Sequence, residues 1–283
     1  MSFHEQAIRL DPSYSDAYLG KATVLYDMKR FADALAAYDE VVQRDPACAL
    51  AHDGRGWALR QLLRYQESLE AYKQAIQLDN TNPSFYNGTG RTLFRLERYD
   101  EALRTFARAI QLDPNIALVY EYRADTYYHA KHYEEALTDY THALTLNPNA
   151  ASLHDGKGWT LWRMHRPQEA LAAFERAIAI DSKLATSYNG RGSALYDLQR
   201  YQESLASYEY ALHLNPNLTL AYIGKGHVLS ELGRYKEALT AYEHAIQLQP
   251  QVSVFHKNRG DALMALGRVE EAEQAYERAK AVS

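Results

Sequence analysis

Residues 83–116 read PSFYNGTGRTLFRLERYDEALRTFARAIQLDPNI, and this stretch decides the fold. Its apolar side chains recur every three or four residues twice, first from Tyr86 to Leu96 and then from Ala102 to Ile110. Such spacing places the apolar residues on one face of each of two helices. A polar turn separates the two segments, and the closing Asp-Pro ends the second because proline cannot continue a helix. The stretch therefore predicts a helix–turn–helix hairpin.

The hairpin recurs along the whole chain with a period of 34 residues and without insertion or deletion. Six of the eight prolines lie on one lattice with this period, and its two vacant nodes are Asn80 and Ser182. We predict a single domain of eight repeats, preceded in residues 1–14 by the second helix of an earlier repeat. The predicted repeats are residues 15–48, 49–82, 83–116, 117–150, 151–184, 185–218, 219–252 and 253–283.

Several places within the repeat carry a fixed residue type. The eighth place is Gly or Ala, the twentieth is Ala or Ser, and the twenty-fourth is Tyr or Phe in all eight repeats. This pattern resembles the tetratricopeptide repeat, and the resemblance covers essentially the whole chain. It implies an all-α fold, a right-handed α-solenoid superhelix of stacked hairpins, in which the first helix of each pair lines a concave groove. Stacking is expected physically, because a lone hairpin cannot bury both of its helix faces.

Composition narrows the class of protein. With 24% charged and 47% hydrophobic residues, the 283-residue chain is globular. Its net charge of −5 argues against a nucleic-acid partner, which would favour a basic excess. The chain has no run of 18 apolar residues and no secretory signal, and the single Cys48 cannot form an internal disulfide. We therefore expect a cytoplasmic protein with no membrane partner.

Glycine is placed periodically. Twelve of the 14 glycines occupy the sixth or eighth place of a repeat, so that five repeats contain Gly-x-Gly. These pairs lie in mid-helix and follow no strand, which argues against a nucleotide fingerprint. A mid-helix glycine costs about 1 kcal/mol relative to alanine, so the sixth-place glycine needs a reason. Two hypotheses stand. The glycine opens a shallow pocket in the groove wall, or it reflects sequence drift that the packing of the repeats tolerates.

Two ladders of charged residues recur in nearly every repeat. A lysine or arginine occupies the seventh place in seven repeats, and an arginine precedes the turn aromatic, three residues before a carboxylate. Features repeated in every unit favour a role in stacking over recognition of one ligand. We predict a structural role for both ladders.

Ligand specificity should come from groove places that differ between repeats. The resemblance implies that the second, fifth, ninth, twelfth and thirteenth places face the groove, and all three tryptophans lie there. Trp and Arg are enriched among binding hot spots. An alternative role for the tryptophans is to cover the seams between repeats. The candidate ligand-binding residues are Asp53, Trp57, Arg60, Asn87, Arg91, Phe94, Arg95, Glu121, Asp125, Tyr128, Asp155, Trp159, Trp162, Arg163, Asn189 and Tyr196.

No catalytic constellation is evident in the sequence. His129 and His132 lack a nearby third ligand, so a zinc site is disfavoured, and we expect no cofactor. No repeat combines Lys and Asn at the fifth and ninth places, the set with which chaperone-binding members of the family hold a C-terminal carboxylate. The sequence thus favours a non-enzymatic scaffold that binds a peptide or protein segment in its groove. Two alternatives stay open: a regulatory or targeting segment of a larger kinase, protease or glycosyltransferase, and an array that self-associates end to end.

Overall fold

The computed structural model of the protein describes residues 15–282, and the half repeat predicted in residues 1–14 lies outside them. The described residues form sixteen α-helices and no strand. The first helices of the eight hairpins are α1 (Ser15–Asp27), α3 (Ala49–Gln61), α5 (Pro83–Arg95), α7 (Ala117–His129), α9 (Ala151–Arg163), α11 (Ala185–Asp197), α13 (Thr219–Glu231) and α15 (Ser253–Ala265). The second helices are α2 (Phe31–Arg44), α4 (Tyr65–Leu78), α6 (Tyr99–Leu112), α8 (Tyr133–Leu146), α10 (Pro167–Ile180), α12 (Tyr201–Leu214), α14 (Tyr235–Leu248) and α16 (Val269–Ala281).

The chain divides into two compact units, Met1–Leu146 and Asn147–Ser283. Helices α1–α8 belong to the N-terminal unit and α9–α16 to the C-terminal unit. Within each unit every helix packs against the helix that follows it, both inside a hairpin and between successive hairpins. This order of contacts is that of a solenoid of helical repeats, and the predicted all-α fold class is confirmed.

Each first helix ends in a left-handed turn at the fifteenth place of its repeat. Gln199, for example, has a φ of 58°, and the next N–H, that of Arg200, donates to the Leu195 carbonyl at 2.9 Å. This closure satisfies a carbonyl that the helix end would otherwise leave unpaired. Six repeats place a non-glycine residue in this conformation, whereas the last two use Gly233 and Gly267. The two glycines outside the sixth and eighth places are thereby explained, because glycine adopts positive φ without steric cost.

Second helices end in a turn held by a side chain. The Asp45 carboxylate accepts a hydrogen bond from the Ala47 backbone N–H at 3.0 Å, across the intervening proline. Asp181 accepts in the same way from Lys183 N–H at 2.9 Å, although Ser182 stands where the lattice has proline elsewhere. Asp and Asn favour such turns because their short side chains reach the backbone two residues ahead. The lattice therefore tolerates a missing proline where the Asx turn remains.

The aromatic ring at the twenty-fourth place is packed between two glycines. A Cβ atom added to Gly158, in the eighth place of the same repeat, would lie 2.7 Å from Phe174 Cε1. A Cβ on Gly190, in the sixth place of the next repeat, would lie 2.3 Å from the same ring. Glycine at the sixth place thus leaves the space that the ring occupies. Both hypotheses about it are wrong. The ring fills the supposed pocket, and a side chain at Gly190 would clash with the ring instead of being tolerated. Two further rings are packed alike, Tyr72 between Gly56 and Gly88, and Tyr208 between Gly192 and Gly224.

The seventh-place ladder joins helices, as predicted, whereas the second ladder makes only local pairs. Arg123 at a seventh place donates from Nε and Nη2 to Asp139 of its own hairpin at 2.6 and 2.7 Å, and both side chains are largely buried. Arg55 instead reaches Asp39 of the preceding repeat at 2.6 Å. The arginine of the second ladder stands just before the second helix and pairs with a carboxylate in its first turn. Seven such pairs form, Arg30–Asp33, Arg64–Glu67, Arg98–Glu101, Arg166–Glu169, Arg200–Glu203, Arg234–Glu237 and Arg268–Glu271.

Candidate functional site

First helices of successive repeats approach one another within each compact unit. Such contacts join α1 to α3, α3 to α5 and α5 to α7 in the N-terminal unit, and α9 to α11 and α11 to α13 in the C-terminal unit. No pair of second helices among the described elements approaches comparably. A stack bends toward the side on which its helices are closer, so the first helices lie on the inner side of each unit. We call this surface the first-helix face.

Side chains at the twelfth place touch the thirteenth place of the next repeat on this face. The contacts combine an aromatic ring with a polar side chain, and they recur with a separation of 35 residues. Four such contacts are Gln61 Nε2 to Tyr26 Oη at 3.0 Å, Phe94 to His129 with ring centroids 5.2 Å apart, Trp162 Nε1 to Asp197 Oδ2 at 2.7 Å, and Tyr196 Oη to Glu231 Oε1 at 3.3 Å. Sequence spacing placed these residues on one face without revealing that they form pairs.

The three tryptophans are half-buried. The Trp57 ring lies 5.8 Å from that of Tyr26 in the preceding repeat. Trp159 meets Trp162 edge to face at 5.6 Å and Phe174 at 5.2 Å. Trp57 and Trp162 therefore bridge neighbouring repeats, as the seam-covering alternative expects, while each keeps part of its ring accessible on the first-helix face.

A buried polar cluster lies between the second and third repeats. Asp53 is 4% exposed, Arg60 is 9% exposed and Tyr72 is fully buried, and Asn87 and Arg91 are partly buried beside them. Asp53 Oδ1, Arg60 Nε, Tyr72 Oη and Asn87 Oδ1 have no hydrogen-bond partner among the described residues. The sequence placed Asp53 and Arg60 on an open groove, whereas the structure buries them because the close approach of α3 and α5 covers these places.

Burial sets the protonation behaviour of this cluster. Burial raises the pKa of Asp53 to about 7, and the charge of Arg60 opposes this shift only in part. Burial, followed by the neighbouring charge of Arg60, lowers the pKa of Arg91, whose guanidinium stacks 4.2 Å from the centre of the Tyr122 ring. Burial also raises the pKa of Tyr72. The cluster thus combines two guanidinium groups with one carboxyl group that titrates near neutral pH.

The remaining predicted residues fall into two groups. Some are engaged by neighbouring side chains: Asp125 accepts a hydrogen bond from the Tyr140 hydroxyl, and Asp155 accepts one from the Ser187 hydroxyl at 2.5 Å. Asn189 is buried, and its Oδ1 has no hydrogen-bond partner among the described residues. Others are more accessible. Arg95 and Arg163 are exposed, and Glu121 and Tyr128 are half-buried.

The C-terminal unit holds a cavity, and Tyr196 is the one residue of its lining that the sequence predicted as a ligand-binding residue. It has a volume of about 300 Å³ and lies between α11, α13, α14 and α15. The sequence signal was available, since Glu231 and Asp261 stand at groove places of adjacent repeats. Its lining includes Tyr196, His227, Glu231, Tyr235, Tyr242 and Asp261.

Two kinds of feature are absent from residues 15–282. No group of three or more His, Cys, Asp or Glu side chains in this range is arranged to hold a metal ion. None of the described helices has the length and apolar content needed to cross a membrane.

Family models described as "Tetratricopeptide repeat" match most of the chain. One matches residues 2–46, 19–83, 156–218 and 223–282. Two others match residues 115–183 and 59–124. No curated protein sequence matches the chain significantly.

Several solved structures share the fold. A chain of the APC/C hetero-tetramer Cut9–Hcn1 is 17% identical with a TM-score of 0.71 over 96% of this chain and 54% of its own, so this chain spans about half of that relative's length. A tetratricopeptide repeat protein from Parabacteroides merdae is 15% identical with a TM-score of 0.68, over 88% of this chain and 98% of its own. YrrB, described as a TPR protein with an unusual peptide-binding site, is 22% identical with a TM-score of 0.52, over 66% and 96% respectively. At these identities the likeness shows the fold alone.

Proposed function

Because the chain belongs to the tetratricopeptide repeat family, whose repeats form protein-interaction scaffolds, we propose that it binds a peptide segment of a partner protein along the first-helix face. One observation carries the proposal. Within each unit, aromatic side chains of first helices touch polar side chains of the next repeat and remain partly accessible, which supplies binding-competent groups on that surface.

The physical advantage of such groups is preorganisation. Trp162 is held by its hydrogen bond to Asp197, and Trp57 is held against Tyr26, so both rings are oriented before a ligand arrives. A side chain that is already ordered loses little conformational entropy on binding. In protein interfaces, a few aromatic side chains of this kind often contribute most of the binding free energy.

All three tryptophans of the chain lie in first helices, which supplies an intrinsic reporter. Peptides would be selected from a random display library against the full chain, and binding would then be followed by tryptophan emission and by anisotropy of the labelled peptide. We expect Trp162→Ala to raise the Kd at least tenfold, as loss of a hot spot of about 2 kcal/mol would.

Leu78→Ala and Leu248→Ala are matched controls, because both leucines are exposed at the ends of second helices. We expect these variants to bind the same peptides within twofold of the wild type. The proposal is abandoned if the variant with Trp57, Trp159 and Trp162 all changed to alanine binds equally well, or if the library yields no peptide that alters tryptophan emission.

A further inference from the structure

The cavity of the C-terminal unit has aromatic walls. Tyr196 and Tyr235 line it with half-buried rings, and the nearly buried Tyr242 contributes from α14. We call this cavity the tyrosine pocket. Its volume of about 300 Å³ is at the lower limit of small-ligand sites, which suits the end of one side chain better than a whole cofactor.

The charges of the tyrosine pocket have one sign. Glu231 and Asp261 line it and are solvent-exposed, whereas no lysine or arginine within residues 15–282 lines it. The two carboxylates are tied in place, Glu231 by the Tyr196 hydroxyl at 3.3 Å and Asp261 by the Tyr276 hydroxyl at 2.8 Å. These bonds leave the second oxygen of each carboxylate available to a further donor.

The histidine of the pocket does not offset this charge. His227 is hydrogen-bonded to the Asn258 side-chain amide at 3.0 Å, and burial lowers its pKa, which favours the uncharged ring. Lys225, the seventh-place residue of the same helix, pairs with Glu209 at 2.9 Å and does not line the pocket. The pocket therefore presents two negative charges without a compensating cation.

We propose that the tyrosine pocket binds the cationic end of a lysine or arginine side chain in the segment recognised by the first-helix face, so this inference rests on the proposed function. The ammonium or guanidinium group would donate to Glu231 and Asp261 and lie against the tyrosine rings. Cations are attracted to the faces of aromatic rings, and a charge-assisted hydrogen bond is stronger than a neutral one. A peptide with an acidic or apolar residue at this point would leave the two carboxylates unpaired.

The direct test uses small probes. N-acetyl-lysinamide and N-acetyl-argininamide are titrated into the full chain carrying isotope-labelled tyrosine rings, with uncharged N-acetyl-citrullinamide as the shape-matched comparison. We expect the ring signals of Tyr196 and Tyr235 to shift with both cations, and the citrulline probe to bind at least tenfold more weakly. Equal shifts with the arginine and citrulline probes would overturn the proposal.

Two double variants separate a specific site from general charge. Glu231→Gln with Asp261→Asn keeps both hydrogen-bond acceptors and removes both charges, and we expect it to weaken the arginine probe at least tenfold. Glu270→Gln with Glu273→Gln removes the same charge from exposed positions of α16 and should leave binding within twofold. Equal weakening by both double variants means general charge attraction, and this result rejects the pocket.

Library-selected peptides distinguish this inference from the proposed function. Each basic residue of a selected peptide is replaced by norleucine or citrulline. Peptides that bind the first-helix face but lose no affinity on any such replacement refute the tyrosine pocket while the scaffold proposal stands. A library that yields no binder at all, together with cation-specific shifts of the small probes, refutes peptide recognition and leaves the cation site supported.

Discussion

Gly190→Ala tests the packing that spaces the repeats. Alanine is ordinarily the better helix residue, by about 1 kcal/mol. Here its Cβ would lie 2.3 Å from the Phe174 ring, which is fully buried and is packed on the other side against Gly158. Overpacking of a core costs about 1–3 kcal/mol, and a clash this close belongs at the upper end. We therefore expect Gly190→Ala to destabilise the chain by about 2 kcal/mol after the helix-propensity gain is subtracted.

Urea denaturation followed by circular dichroism measures the change, and hydrogen exchange localises it to α10 and α11. Ser152→Ala, an exposed change in the first turn of α9, is the matched control and should stay within about 0.5 kcal/mol of the wild type. Phe174→Leu in the Gly190→Ala background should cost less than the sum of the single changes by at least about 1 kcal/mol, because the smaller side chain removes the clash. A variant Gly190→Ala more stable than the wild type would refute the packing argument.

Two further predictions concern buried charge. Burial raises the pKa of Asp53 to about 7, above its value in the unfolded chain. Between about pH 4 and pH 7 the native state therefore binds one more proton at this residue than the unfolded state does. The free energy of unfolding falls as the pH rises through that window. Asp53→Asn should therefore exceed the wild type in unfolding free energy by on the order of 2–4 kcal/mol above pH 8 and match it near pH 4, and a pH-independent difference in urea titrations would contradict this. Arg123→Met should cost about 3–5 kcal/mol because it leaves Asp139, 5% exposed, without its partner. Arg55→Met, which breaks a more accessible pair of the same ladder, should cost under about 1 kcal/mol by the same denaturation assay, and similar losses in both variants would show that burial does not control the effect.

Much of the fold was predictable because the same residue types recur at the same places in all eight repeats. A ring in every twenty-fourth place and a small residue in every eighth indicate close helix packing from one sequence. The role of the sixth-place glycine was not predictable, because its partner is the ring of the preceding repeat, 16 residues away in another hairpin. The left-handed turns were not predictable for a different reason. Six of the eight are made by residues such as Leu63 and His165, whose types do not indicate a positive φ.

The candidate site was less predictable than the fold. Helical phase assigns a residue to a face, yet Asp53 and Arg60 show that a residue of that face can be covered where two first helices approach closely. Phase also gives no information on pairing, so the contact between Trp162 and Asp197 was not foreseen. The sequence places Tyr196, Glu231 and Asp261 at predicted groove places, but it does not show that they form one cavity with Tyr235 of the turn and Tyr242 of the core.

Two repeats replace the sixth-place glycine with a larger residue, and each replacement contacts the first helix of the preceding repeat. Where the sixth place is Tyr122, its ring carries the guanidinium of Arg91 at 4.2 Å. Where it is Asn258, its amide bonds the ring of His227 at 3.0 Å, beside the tyrosine pocket. Arg91 and His227 both occupy the ninth place of the preceding repeat. A side chain at the sixth place therefore reaches the ninth-place residue of the preceding repeat, whereas a sixth-place glycine leaves room for the stacking ring. Because the twenty-fourth-place ring is kept in all eight repeats, we expect such substitutions to change the surface of one repeat without changing how the other repeats pack.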